Sequence, residues 1–83
     1  MYFVYILYST AKDKYYVGCT NQLEERVRKH NSNHKGFTGG VGDWKVVHKE
    51  SYELKSKGLG REKEIKNKKS RKYIEKLVQD IPT

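Results

Sequence analysis

The sequence predicts a small α+β domain built in the order β-β-α-β-α-α. Three observations carry this. The chain opens on a continuous apolar-aromatic run, "MYFVYILY", followed by a polar turn and a second aromatic run, "YYVGC". Two later stretches, "TNQLEERVRKHN" and the region from Ser56 onward, place apolar residues at helical spacing. The 83 residues, 35% of them hydrophobic, support one thin core, so residues 1–83 are read as a single domain.

Each element follows from its own residues. Met1 to Tyr8 carries Val, Ile and three tyrosines without a polar break, as does a strand covered on both faces and central in its sheet. "STAKDK" is the turn, and "YYVGC" the returning strand of a hairpin. A hairpin symmetric about Thr10 and Ala11 sets Tyr5 directly opposite Tyr16, so the two phenols share a face. Asn21 is placed to cap a helix, and Glu24 to complete a capping box. Leu23 and Val27, at i and i+4, then face the sheet. "NSNHKGFTGGVGD" has the composition of a loop. Trp44 to Tyr52 alternates loosely around Val46 and Val47 and forms a third strand. Ser70 breaks the long helical stretch and is placed to cap a last helix. That helix presents Tyr73, Ile74, Leu77, Val78 and Ile81 on one face, and Pro82 ends it.

Charge narrows the partners. Lys and Arg number 18 against 10 Asp and Glu, a net charge of +8, and the pI is about 9.6. That bias is the footprint of polyanion binding, with nucleic acid the usual partner. The basic run Lys66, Lys68, Lys69, Arg71 and Lys72 is the segment suited to phosphates. Cys19 is the one cysteine, so no intrachain disulfide forms, which fits a reducing, cytoplasmic setting. The longest apolar run is too short to span a bilayer and lacks the basic flank of a signal peptide, so no membrane role is expected.

The stretch "LGREKEIK" puts a charge on the apolar side of its helix. Leu59 and Ile65 define the stripe, and Glu62 falls between them while Glu64 points away. An inward carboxylate must be paired or bound to a metal. Its partner is Lys66 at i+4, or Arg26 across the core, or a cation. Arg26 and His30, also i and i+4, bring a guanidinium and an imidazole to one face. Two motifs mislead. "KGFTGG" starts like an RNA-recognition signature but fails at Thr38 and Gly39. His30 and His34 have zinc spacing but lack a second ligand pair.

Taken together, the chain resembles the GIY-YIG nuclease superfamily, most closely its small stand-alone members related to the nuclease domain of the UvrC excision-repair subunit. "FVYI" stands for the first half-motif, with Tyr5 in the tyrosine place and Phe3 in place of the first glycine. "YVG" is the second, with Tyr16 and Gly18. Arg26, His30 and Glu62 follow in the family's order. The resemblance implies a three-stranded antiparallel sheet with helices on its faces. It implies a divalent-metal-dependent endonuclease that hydrolyses DNA phosphodiesters, with DNA repair or recombination as the setting. It implies one Mg²⁺ or Mn²⁺ at Glu62, with Tyr16 and Tyr5 at the reacting phosphate. Arg26 would stabilise charge and His30 would take or relay a proton. Gly18 would allow close approach of the backbone, and Tyr2, Tyr8 and Tyr15 would pack. Specificity would come from a protein partner, since no added domain is present. The rival is a binding module of the same fold that grips nucleic acid through the basic run without cutting it.

Overall fold

The computed structural model describes residues 1–32 and 36–79. Six elements follow in the expected order: β1 (Tyr2–Ser9), β2 (Lys14–Thr20), α1 (Leu23–His30), β3 (Lys45–Tyr52), α2 (Lys55–Lys68) and α3 (Arg71–Gln79). The strands form one three-stranded antiparallel sheet in the order β2-β1-β3. β1 is central, as its unbroken apolar run requires. Val4 and Ile6 project to one face, where they pack with Val17, Ile65 of α2 and the α3 residues Ile74, Leu77 and Val78. Tyr5 and Leu7 project to the other, with Trp44 and the α1 residues Leu23 and Val27. Thus α2 and α3 cover one face and α1 covers the other.

Three local expectations are corrected. The hairpin is closed by Ser9 and Lys14 and turns through Thr10 to Asp13, with Asp13 at φ 52°. Its centre therefore lies one residue later than expected. Tyr5 pairs with Gly18, and Tyr16 pairs with Leu7. The shift is an even number of positions, so Tyr5 and Tyr16 still share a face, with ring centroids 6.3 Å apart. The turn has this length because Asp43 reaches into it. Its carboxylate accepts from the Ser9 hydroxyl at 2.6 Å and the Ala11 N–H at 2.8 Å.

Asn21 does not cap α1. Gln22 occupies the cap position without a side-chain bond, and Thr20 accepts from the Gln22 N–H at 3.1 Å instead. The helix is supported by charge: Glu24 and Glu25 lie in its first turn, and Arg28 and Lys29 in its last.

Leu59 is exposed, so it does not define the buried stripe of α2. That stripe runs through Gly58 and Ile65. A Cβ on Gly58 would lie 3.0 Å from the Cys19 sulfur, so the missing side chain lets α2 settle on the strands. Glu62 is one turn from both buried residues and lies at the stripe's margin, not between its members as expected. α2 ends where Lys69 turns left-handed, at φ 47°. Ser70 then caps α3 by accepting from the Tyr73 N–H at 3.2 Å. The readings for Ile81 and Pro82 lie outside the described residues, as does His34.

Candidate active site at the edge of the sheet

Tyr5 is 2% exposed, yet its hydroxyl is carried toward the outer edge of β2. Gly18 permits this. A Cβ there would stand 2.5 Å from the Tyr5 hydroxyl oxygen and 2.6 Å from its ring carbon Cζ. The ring therefore lies across bare backbone. The hydroxyl meets His30 Nε2 at 3.0 Å, and His30 Nδ1 meets Thr38 Oγ1 at 3.0 Å. Thr38 is itself 3% exposed, and its carbonyl accepts from the Trp44 indole N–H at 2.9 Å. Asn31, at the end of α1, holds Trp44 on both sides, accepting from its N–H at 2.8 Å and donating to its carbonyl at 3.1 Å. A buried histidine needs both ring nitrogens satisfied, and this loop supplies what β1 does not.

Tyr16 lies beside this chain, with its ring centroid 4.6 Å from that of His30. Arg26 is exposed on the same helix as His30. Glu62 arrives from α2 on the other face. The charges of Arg26 and Glu62 both reach the Tyr5 hydroxyl. Burial, first of all, pushes the Tyr5 phenol well above its ordinary range. Tyr16 and Glu62 push the same way, and Arg26 works against them. Tyr5 is thus a neutral hydrogen-bonding group. Glu62 pairs with Lys66, at 2.7 Å, rather than with Arg26. The Lys66 ammonium also stands 5.8 Å from the centre of the Tyr16 ring.

The basic run divides in two. Lys66, Lys69 and Arg71 line a groove with Tyr15 and Tyr16. Lys68 and Lys72 line a separate hollow with Tyr73. Arg71 is occupied, donating to the Asp13 carboxylate at 2.7 Å and to its carbonyl at 2.9 Å. Cys19 behaves as a small apolar residue: burial, followed by the charge of Glu62, pushes its thiol up. Tyr8 and Tyr15 stack on each other at 4.8 Å, a packing pair. Sequence reasoning missed Thr38 and Trp44 as the supports of His30. They sit where no period operates, and their roles come from loop contacts alone.

Among the described residues no three His, Cys, Asp or Glu side chains converge as a metal cage. The donor on offer is the Glu62 carboxylate, whose side chain is 19% exposed. One carboxylate suits an ion that keeps several of its waters, as Mg²⁺ does. The Lys66 partner is 49% exposed and can swing aside, since such a pair is weak in water. The residues present fit one such ion.

A three-stranded antiparallel sheet with helices on both faces, in the order β-β-α-β-α-α, is the fold of a nuclease-type catalytic domain. The family described as the GIY-YIG catalytic domain matches residues 1–74, and the chain belongs to it. A UPF0213 protein of Natronomonas pharaonis is 38% identical over 95% of this chain and 92% of its own length. A UPF0213 protein of Haloquadratum walsbyi is 36% identical over 80% of this chain and 74% of its own. No solved structure matches the chain with significance. No helix among the described residues is long and apolar enough to cross a membrane.

Proposed function

We propose that the protein is a divalent-metal-dependent endonuclease acting on DNA phosphodiester bonds. The observation that carries this is the meeting of Tyr5, Tyr16 and His30 at the β2 edge, with the Tyr5 hydroxyl in the field of Arg26 and Glu62. Glu62 is the metal ligand, and the ion, when bound, supplies positive charge to the phosphate. The remaining work falls to the side chains. Tyr16, after giving its own hydroxyl proton to solvent, accepts the proton of the attacking water, a role worth about 10²–10⁴ in rate. The Lys66 ammonium, 5.8 Å from the ring centre, is the positive charge beside the Tyr16 ring while its oxygen is unprotonated. Arg26 faces the charge that grows on the phosphoryl oxygens. Tyr5 stays protonated and, fixed by His30, donates or positions rather than accepts. The water oxygen bonds to phosphorus, the bond to the leaving sugar oxygen breaks, and that oxygen regains a proton from solvent.

The test is a cleavage panel with Mg²⁺ or Mn²⁺ over duplex, nicked, flapped and branched DNA, with RNA beside them. Metal-dependent nicking by the purified protein supports the reading. Binding without cleavage under all conditions supports the rival, a nucleic-acid-binding module of the same fold. A repair or recombination setting rests on the family alone.

A further inference from the structure

Phe37 has no part in the chemistry above, yet it is 52% exposed in a chain with few large apolar residues to spare. Its ring lies 6.1 Å from Tyr16 and 6.3 Å from Trp44, centroid to centroid. Two ammonium groups flank it, Lys14 at 5.6 Å and Lys12 at 6.0 Å. Lys12 also donates to the Phe37 carbonyl at 2.7 Å, which ties the ring's backbone to the hairpin turn. The groove that Phe37 borders has an aromatic and aliphatic floor that includes Tyr16 and Ile65. Its rim carries Lys14, Lys66 and Lys69, and no carboxylate lines it among the described residues. Lys14 and Lys69 enter none of the ion pairs among the described residues.

A cation beside an exposed ring can be no more than a cation–π contact worth about 0.5–1 kcal/mol. Such a contact neutralises no charge: on the rim Lys66 is paired with Glu62, and Lys14 and Lys69 keep theirs. An apolar platform flanked by two uncompensated ammonium groups is complementary to one ligand chemistry: a flat ring system joined to phosphate. Stacking on an aromatic side chain requires the base to be out of its duplex.

We infer that Phe37 is a stacking platform for an unpaired nucleobase next to the scissile phosphate, with Lys14 and Lys69 on the flanking phosphates. The inference rests on the nuclease reading and gives it a substrate class: strands with at least one unpaired nucleotide at the cut, in preference to intact duplex. Contact between Phe37 and Tyr16 sets the stacked base within a nucleotide's reach of the proposed proton acceptor.

The test uses the full chain carrying Glu62→Gln, so that binding is read without cleavage. Fluorescence anisotropy gives its affinity for a single-stranded oligonucleotide and for the blunt duplex of the same sequence. A 2-aminopurine in the single strand reports stacking through quenching. Adding Phe37→Ala is expected to weaken single-strand binding about 5- to 150-fold, the worth of one stacked base, and to leave duplex binding within about twofold. The quench is lost with it, and Phe37→Trp retains both affinity and quench. Equal losses on single strand and duplex, or losses that Phe37→Trp shares, assign Phe37 to loop structure and overturn the platform. Unchanged single-strand binding by Phe37→Ala overturns the platform and leaves the nuclease reading standing. A parent protein that binds no nucleic acid overturns both.

Discussion

The two edges of the sheet each carry a carboxylate in a polar cluster, and the two are built differently. At the β3 edge, Glu50 is saturated. It accepts from Arg61 through both oxygens, at 2.9 and 3.1 Å, from Tyr52 at 2.6 Å, and pairs with His48 at 2.9 Å. Arg61 in turn binds Glu64 and Tyr73, so the cluster ties β3 to α2 and α3. Burial opposes the Glu50 charge, but the hydrogen bonds from Arg61, Tyr52 and His48 outweigh it and hold the carboxyl at about 2. At the β2 edge, Glu62 has one hydrogen-bond partner among the described residues, and that partner is a half-exposed lysine. A saturated carboxylate is a strut. A carboxylate held by one exchangeable ammonium is free to take another cation.

The comparison breaks first at activity. Glu62→Gln is expected to cut metal-dependent cleavage by about 10²–10³ or more, the scale on which a positioned electrostatic group is lost, while its melting temperature holds. Retained cleavage at saturating Mg²⁺ moves the ligand elsewhere. Tyr16→Phe follows at about 10²–10⁴, against a small effect for Tyr15→Phe, whose ring packs on the opposite face. Comparable rates for the two variants mean that neither hydroxyl takes the proton.

Glu50→Gln should show the reverse pattern, with cleavage kept and about 1–3 kcal/mol of stability lost, read by denaturant titration. Its pH dependence sharpens the contrast. The folded value lies near 2, below the ordinary 4.5. Its stabilising contribution is therefore complete above 4.5 and is lost as pH falls through about 2. The parent should lose stability across that window, and Glu50→Gln should lose less. The smallest expected effect separates two adjacent lysines. Lys69→Gly, which also suits the left-handed φ, should lower the salt slope of DNA binding by about 0.9. Lys68, 5.5 Å from the Tyr73 ring centre on the Glu50 side, should leave the slope unchanged when replaced by Ala.

The order of elements and the central place of β1 were legible because length of run and apolar period decide them. The nearness of Tyr5, Tyr16 and His30 was legible through strand alternation and family likeness. The hairpin register was not, because Asp43, thirty-odd residues away in the chain, sets the turn. The α2 stripe was misread because glycine has no hydropathy to count, and Gly58 is buried through what it lacks. Phe37, Thr38 and Trp44 fall in or beside a loop, where burial depends on contacts no local pattern records.

Placing the first strand at the middle of the sheet has a consequence for synthesis. β1 is made before the rest of the domain, and its hairpin partner follows within a few residues. Its other flank stays open until β3 has emerged, near residue 52, and Glu62 is made later still. Until then the exposed strand must be kept from strange partners, and short-lived pairing with other chains is its chief hazard. The same order withholds Glu62, the proposed metal ligand, until all three strands have been made.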